Sequence, residues 1–441
     1  MDHSIDWILF DKLYSDLNAS AEVLKGLKNG GLGGPTRIDE SNPNDTSKAL
    51  NKFCDTLNCL QTMFIEPNVF IQRLAIQMQL LASIKWLGEF QVTPCIPLDS
   101  SISIQELAEL ADVPKSVLSR IVRMTATSGF LCEQQPGYVA HTALSTAFCS
   151  HLAYSDAATF LSDVITPAAL RLSSVTTASE RGDYRSDLKN GSAITHQLGR
   201  PFPWACAEDP QLRRQCLAYY RTLSQTTACE ELDFLTEYLN SLQKSARVVY
   251  ICDRLTEPSR VFFQALETCH FVVQSYELAP GDIYPETSTN VNPHESARHS
   301  FIVQRRDPNC PQPVRDAALY ILQPFLPSIV PYGMNMSTVL VADLQAHLSV
   351  LRGNPSAVLV FLPRLLPESG SLGTGTEAQQ RLNDLTNMEL GYEGMLELKE
   401  AIDLIESVRD EHGKLMVTRH IRCQDGTLAG FEVALGEADH H

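Results

Sequence analysis

The spacing of apolar residues predicts helices through the first part of the chain. Residues 4–28 carry Ile5, Leu9 and Leu13 at about helical spacing, which predicts one helix. Residues 51–90 repeat this pattern, but apolar positions from 70 to 87 are too dense for a helix that faces water on one side. We therefore expect a second chain to cover this helix, and we predict a homodimer.

Residues 101–149 carry the pattern of a winged helix-turn-helix. Ser103 is placed to cap a short helix, a turn follows at Pro114, and residues 117–128 predict a second helix. The wing is predicted as a hairpin around Pro136-Gly137, with strands at 130–133 and 138–140. Such a domain binds DNA or packs on a neighbouring domain.

A helical segment and then an alternating strand and helix pattern fill the rest of the chain. Residues 150–243 predict helices that are interrupted at Pro167, near 182–183 and at 201–203. The alternation after residue 247 predicts a doubly wound sheet, in which ligands bind beyond the carboxyl ends of strands. The predicted strands are 248–251, 271–274, 301–304, 339–342, 358–362, 414–419 and 430–434, and the predicted helices are 314–326, 382–390 and 394–408.

This order divides the chain into four predicted segments. A helical extension and linker is followed by dimerisation helices with the winged helix, a helical connecting segment and a Rossmann-like α/β domain. Their predicted bounds are 1–50, 51–150, 151–243 and 244–436.

Composition limits the partners. The chain has 441 residues and a formal charge of −17, and it has no basic run, so nucleic acid and an anionic membrane surface are poor partners. On the second helix of the winged domain, only Lys115, Arg120 and Arg123 offer positive charge.

The start of the chain lacks the features of a secretory signal, and no apolar run is long enough to span a bilayer. We expect a cytoplasmic protein that binds neither DNA nor membranes.

The turn after residues 248–251 is unusual for a nucleotide-binding fold because it contains no glycine. Cys252, Asp253 and Arg254 stand where a glycine-rich loop lets the backbone approach a phosphate, ribose or amino acid. Arg254 either supplies a positive charge at this place or belongs to a surface turn. No cysteine or histidine spacing predicts a metal site.

From about residue 51 to 435 the chain resembles the plant and fungal caffeate-type O-methyltransferases. The likeness rests on the order of the parts and on the wing ending at 137–142. It implies a mixed fold, with an α-helical dimerisation region and winged helix followed by a Rossmann-like methyltransferase domain. In this family an acidic ribose ligand stands at the position of Ser275, with Glu277 nearby. The general base is a histidine followed by aspartate, where this chain has Arg306 and Asp307.

An arginine cannot deprotonate a substrate hydroxyl at neutral pH because its guanidinium stays charged. In this respect the chain resembles the fungal O-methyltransferase-like pericyclases of the leporin cyclase type. That resemblance implies dehydration and pericyclic cyclisation of a polyketide-derived pyridone or quinone methide, with His141, Arg306 and Asp307 as catalytic residues. It implies no reacting cofactor, with S-adenosylmethionine at most a bound, non-reacting ligand.

Several interpretations stay open at the level of sequence. Phe202 and Trp204 either line an apolar substrate pocket or belong to the core, and the same alternative holds for Met388. His141 is either an active-site acid or base, or a structural residue, and either Arg305 or Arg306 faces the pocket. The rival functions are a working methyltransferase and a catalytically inactive homologue that acts as a protein partner.

Overall fold

Helices fill the first half of the chain and a mixed sheet fills the second. The computed structural model describes residues 6–29, 43–180, 192–224, 235, 236, 239, 246–252, 259, 263, 269–276, 301–306, 310–324, 336–370, 373–422 and 429–436. It divides into an N-terminal unit, Met1–Leu223 with Glu389–Gly391, and a C-terminal unit, Ser224–Met388 with Tyr392–His441. None of the described helices combines the length and apolar character needed to cross a lipid bilayer.

The first two predicted helical regions are present, with one division. Residues 51–90 form two helices rather than one, because Pro67 lacks an N–H group and is tolerated only in the first turn of a helix. The helices of this half are α1 (Trp7–Asn29), α2 (Pro43–Met63), α3 (Pro67–Glu89), α4 (Ile104–Leu110), α5 (Lys115–Ala126), α6 (Ala143–Ser150), α7 (Leu152–Phe160), α8 (Thr166–Glu180), α9 (Ala193–Leu198), α10 (Phe202–Glu208) and α11 (Pro210–Ser224).

The winged helix is confirmed, and its local signals act as predicted. Ser103 Oγ accepts from the Glu106 amide at 3.1 Å, and the Glu106 carboxylate accepts from the Ser103 amide at 3.3 Å, which completes a capping box for α4. Leu107, Leu118 and Val139 are fully buried between the helices and the wing. The sheet has the order β1-β3-β2, with β1 (Ile102–Ser103), β2 (Leu131–Gln135) and β3 (Tyr138–His141).

The predicted interruption at Pro167 is wrong. The chain passes from α7 to α8 through a π-helical turn, Leu161–Ile165, without leaving the helical path. Proline displaces the carbonyl four residues before it, and that carbonyl, of Asp163, accepts instead from Gln197 Nε2 at 2.8 Å. The Thr166 hydroxyl donates to the Leu161 carbonyl at 2.7 Å. The wider turn and these two side chains satisfy the backbone that proline disturbs.

The second half contains an eight-stranded sheet of order β6-β5-β4-β7-β8-β11-β10-β9. The first five strands in this order are parallel and the last three are antiparallel, as expected for a doubly wound domain with an antiparallel edge. The strands are β4 (Ala246–Cys252), β5 (Cys269–Ser275), β6 (Phe301–Arg305), β7 (Leu319–Leu322), β8 (Val358–Phe361), β9 (Arg409–Asp410), β10 (Gly413–Arg422) and β11 (Ala429–Gly436), and the described helices are α12 (Met336–Gly353), α13 (Thr374–Leu390) and α14 (Leu398–Ser407).

In two places the structure has a helix where a strand is predicted, or a strand where a helix is predicted. Residues 339–342 lie in α12 and not in a strand, and the predicted helix 314–326 contains β7. All four residues of β7 are fully buried between β4 and β8, so both faces are apolar and the alternation that marks a half-exposed strand is lost. Within this segment Val339 and Leu340 are buried and Val341 is partly buried, so its apolar residues pack as part of a helix and not as a strand.

The sheet has an apolar core on each face. The core on the α12 side, here called the α12 core, includes Val249, Ile251 and Phe431. The opposite core includes Val248 and Tyr250. Alternate residues of β4 thus enter different cores, which holds the carboxyl ends of the parallel strands in fixed positions.

Candidate functional site

Three neighbouring parallel strands end at the sheet edge where the sequence places a ligand. Cys252 pairs with Ser275, and Ser275 pairs with Arg305, so the ends of β4, β5 and β6 lie side by side. Arg306 follows β6 directly, and its amide donates to the Ser275 carbonyl at 2.9 Å. The sheet thus places Arg306 next to the ends of β4 and β5.

Arg306 is only 4% exposed and points into the protein. Its Nη2 donates to Asp343 Oδ1 and to the Cys310 carbonyl, each at 3.1 Å. Its Nε donates to the Tyr276 hydroxyl at 3.3 Å and its Nη1 to Gln274 Oε1 at 3.4 Å. The charge is therefore neutralised by a buried carboxylate, and every guanidinium nitrogen contacts a protein acceptor.

Asp343 comes from α12 and completes the ion pair from the opposite side. Its second oxygen accepts from the Tyr276 hydroxyl at 2.7 Å. Burial raises the pKa of Tyr276 and of Asp343, while donation from Tyr276 and the charge of Arg306 act to lower the pKa of Asp343. Tyr276 consequently stays protonated and serves as a fixed donor.

Two glutamines and a histidine extend the buried network. Gln274 Nε2 donates to Gln312 Oε1 at 2.7 Å, and Gln312 Nε2 donates back to Gln274 Oε1 at 3.0 Å. Gln312 Nε2 also lies 3.1 Å from His347 Nε2, and His347 Nδ1 lies 2.7 Å from the Asp343 carbonyl. A carbonyl only accepts, so Nδ1 carries the proton and Nε2 accepts from Gln312. Burial lowers the pKa of His347 to about 4, so the ring is neutral at pH 7.

The six side chains form one satisfied unit, here called the buried polar network. They are Gln274, Tyr276, Arg306, Gln312, Asp343 and His347. Sequence reasoning found only Arg306. A signal for two others was present, because Asp343 and His347 lie four residues apart within the apolar stripe of α12. It was missed because this region was interpreted as a strand.

His141 lies in the N-terminal unit, at the end of the wing. Its Nδ1 is 2.9 Å from Ser145 Oγ, and its Nε2–H donates to the Thr93 carbonyl at 3.2 Å. Cys149 Sγ is 3.9 Å from Nε2. The ring therefore joins β3 to α6 and to the turn after α3, with both nitrogens hydrogen-bonded inside the protein.

The remaining predicted residues occupy different environments. Phe202 is fully buried, with its ring centroid 5.9 Å from that of Phe160, whereas Trp204 is 44% exposed. Met388 in the C-terminal unit is 45% exposed, and Cys252 is 1% exposed. Their predicted roles stay predictions. The residues outside the described ranges are Asp253, Arg254, Glu277 and Asp307.

Comparison with known proteins shows the family. No protein-family profile matches the chain. It is 34% identical over 438 residues to the monodictyphenone cluster transcriptional coactivator mdpA of Emericella nidulans, covering 90% of each protein. The dothistromin biosynthesis regulatory protein aflJ of Dothistroma septosporum is 32% identical, with 93% of each chain covered. The chain belongs to this family of fungal biosynthetic-cluster coactivators.

Several solved structures share the fold of this chain. LepI in complex with SAM matches with a TM-score of 0.65 at 14% identity, covering 96% of this chain and 100% of LepI. A pericyclic reaction enzyme matches at 0.63 and 13%, covering the same shares. The mitomycin 7-O-methyltransferase MmcR matches at 0.55 and 17%, covering 83% of this chain and 97% of its own. At these identities the likeness shows an O-methyltransferase-like fold, and it does not show an activity.

Solved neighbours of this fold hold SAM or SAH, and two described residues at the strand ends of this chain differ from those expected for such a ligand. Ser275 stands where the acidic ribose ligand is expected, and it is 1% exposed. Cys252, equally buried, is followed in the sequence by four residues without glycine, Asp253 to Thr256. Within the ranges that the structure describes, no three His, Cys, Asp or Glu side chains are grouped as metal ligands.

Proposed function

We propose that this protein is a non-catalytic transcriptional coactivator of a fungal biosynthetic gene cluster. The role of transcriptional coactivator is proposed from the names of the relatives. One observation of this chain supports the absence of catalysis. Arg306, which stands at the general-base position of the methyltransferase family, is held in a buried ion pair with Asp343. A substrate carbonyl that used this guanidinium would have to displace a carboxylate, which is a stronger acceptor.

The coactivator acts through another protein rather than by reading DNA. The chain carries −17, and Arg123 on the second helix of the winged domain pairs with Glu133 of the wing at 3.4 Å. A DNA-reading helix needs concentrated, available positive charge for phosphates and base edges. We infer that a sequence-specific DNA-binding protein supplies the contact with the promoter, and that this chain is held there by protein contacts.

The second candidate is a pericyclase, favoured by the match to a pericyclic reaction enzyme and by an arginine at the base position. In this proposal Arg306 binds the ring carbonyl of a polyketide-derived substrate, His141 assists loss of water, and S-adenosylmethionine binds without reacting. The contacts of both side chains argue against it, because Asp343 holds the guanidinium and Ser145 and Thr93 hold the imidazole.

Deletion of the gene in the producing fungus separates the two proposals. Loss of a coactivator lowers the transcripts of all the neighbouring biosynthetic genes, as measured by quantitative reverse-transcription PCR. Loss of a pericyclase leaves those transcripts unchanged and causes an uncyclised intermediate to accumulate, as measured by mass spectrometry. We expect the first result, and we expect a His141→Gln variant to restore transcription. Unchanged transcripts in the deletion strain would refute the coactivator proposal.

A further inference from the structure

Helix α13 buries polar side chains where a helix of a folded domain usually buries apolar ones. These side chains stand at positions 379, 380, 383 and 386, and their spacing of three or four residues places them on one face. Gln380 is 2% exposed and Thr386 is fully buried, whereas Gln379 and Asn383 are half-buried. These four residues, here called the polar row, extend over about 10 Å along the helix.

The opposite face of α13 is apolar and exposed. Leu382, Leu385 and Met388 follow one another at intervals of three residues, and each is at least 40% exposed. A helix oriented only for stability would place these side chains in a core and the amides in water. The hydrophobic effect therefore does not explain why the polar row faces inward.

Hydrogen bonds at other positions of α13 fix this orientation. Arg381 Nη2 donates to the Pro367 carbonyl at 2.8 Å, and Asp384 Oδ1 accepts from the Met395 amide at 2.8 Å. Pro367 follows β8 in the chain, so the first contact ties α13 to the segment that leaves the carboxyl end of this strand. In a doubly wound sheet, ligands bind outside the carboxyl ends of the strands.

Each residue of the polar row has one atom that makes no hydrogen bond within the part of the chain that the structure describes. The four buried atoms are Gln379 Nε2, Gln380 Oε1, Asn383 Oδ1 and Thr386 Oγ1. A buried polar group without a partner costs free energy, and native proteins leave few such groups. Four of them on one helix face point to a bound molecule that completes their hydrogen bonds.

We propose that the polar row of α13 binds a small, neutral molecule that carries several hydroxyl groups. A hydroxyl both donates and accepts, so it can complete the hydrogen bond of an amide nitrogen, an amide oxygen or the Thr386 hydroxyl. The polar row contains no charged side chain, so an ionic ligand would lose its hydration without gaining a counter-charge there. This site goes beyond the coactivator role, because it gives the chain a small-molecule ligand.

Saturation-transfer difference NMR with two hydroxylated rings tests the site on the full chain. The probes are myo-inositol, which carries its hydroxyls on an aliphatic ring, and phloroglucinol, which carries them on an aromatic ring. The control is the trimethyl ether of phloroglucinol, which has no donor. We expect a signal from at least one probe, which distinguishes a polyol from a phenol, and none from the control. If water alone completes the polar row, neither probe binds and the inference is overturned, as it is if the control binds equally well.

Substitutions of similar size separate a binding role of the polar row from a structural one. Gln380→Met with Thr386→Val removes two unpaired polar groups. We expect an unchanged or higher melting temperature without probe, and at least about tenfold weaker binding of the probe that the wild type binds. Leu385→Thr, on the exposed face of α13, is the control and should leave probe binding unchanged.

Two results of this comparison would contradict the inference. A lower melting temperature of the double variant would show that the two polar groups have partners within the fold. Unchanged probe binding by the double variant would place the probe elsewhere on the protein. Both measurements use the purified chain, so their failure leaves intact the coactivator proposal, which the deletion strain tests.

Discussion

At the residue scale, the neighbours of Arg306 are as informative as its identity. Arginine excludes general-base chemistry because it stays charged, but it is compatible with both substrate binding and structural support. The structure places Asp343, which is fully buried, against the guanidinium. Removing two charges from water is costly, and only close pairing with further hydrogen bonds offsets this cost. The buried polar network supplies both.

Loss of one member of this pair should strongly destabilise the C-terminal unit. We expect Asp343→Ala to lower the free energy of unfolding by about 3 to 5 kcal/mol, because Arg306 is left buried without a counter-charge. Urea denaturation followed by circular dichroism measures the loss. The matched control is Asp410→Ala in the half-exposed pair with Arg352, whose N–O distance is 2.6 Å and whose loss should cost about 0 to 1 kcal/mol. Equal losses for the two variants would argue against the pair as a structural support.

The neutral His347 predicts a defined dependence of stability on pH. The pKa of His347 falls from 6.5 to about 4 on folding. Between these pH values the unfolded chain therefore binds a proton that the folded chain does not bind. The contribution of the neutral ring to the free energy of unfolding is complete above pH 6.5 and is lost as pH falls toward 4. Between these limits the free energy of unfolding changes by about 3 kcal/mol.

Unfolding measured from pH 7.5 to 4.5 in the wild type and in His347→Asn isolates this effect. The pKa of Asp343, raised by burial, acts in the opposite direction, but Asp343 is present in both proteins. We expect stability to fall more steeply with decreasing pH in the wild type than in the variant. Parallel curves would show that folding does not lower the pKa of His347.

At the element scale, local signals decided the type of an element only where one face meets water. Helix α4 has a capping box and one exposed face, and its prediction was confirmed. Strand β7 is buried on both faces, so its apolar run was compatible with a helix or a strand. Pairing with β4 and β8 decided the outcome.

The cap of α4 should make a measurable contribution to stability. Ser103→Ala removes the side-chain acceptor for the Glu106 amide and should cost about 1 kcal/mol. Differential scanning calorimetry of the variant measures the loss, with Ser101→Ala, at an exposed position outside the helix, as control. A melting temperature equal to that of the control would show that the capping box contributes nothing.

At the scale of the whole molecule, α3 presents an apolar surface without a described partner in its own chain. Its C-terminal half packs on the winged helix through Leu87, whereas its N-terminal half exposes five large apolar side chains, of which four share one face by their helical spacing. Such a contiguous patch is typical of a protein interface, so we propose that α3 packs against a second copy of the chain. The four residues are Phe70, Ile71, Leu74 and Met78, each between 49% and 63% exposed.

Light scattering after size-exclusion chromatography tests the dimer. We expect twice the chain mass at micromolar concentration, and we expect Phe70→Glu with Leu74→Glu to yield monomers because charge cannot be buried in the apolar interface. Arg73→Glu on the same helix changes charge at an exposed position and should leave the dimer intact. A monomer mass for the wild type would reject this proposal.

The sequence by itself determined the order of the parts: helices, a winged helix, a helical segment and a doubly wound sheet. It did so because amphipathic periodicity, caps and turn residues act over a few positions and survive without knowledge of distant neighbours. It also determined that Arg306 and Asp307 follow the segment 301–304 and that residues 252–256 contain no glycine. These are properties of single positions, and they need no tertiary contact.

Only the tertiary structure decided where Arg306 points, which acid it meets and how Pro167 fits in a helix. Asp343 lies 37 residues from Arg306 along the chain, and Gln197 lies 34 residues from the carbonyl it satisfies. A buried polar group takes its role from its hydrogen-bond partners, and folding brings these together from distant positions. Strand β9 likewise pairs with only Gly413 and Lys414 of β10 because it is two residues long.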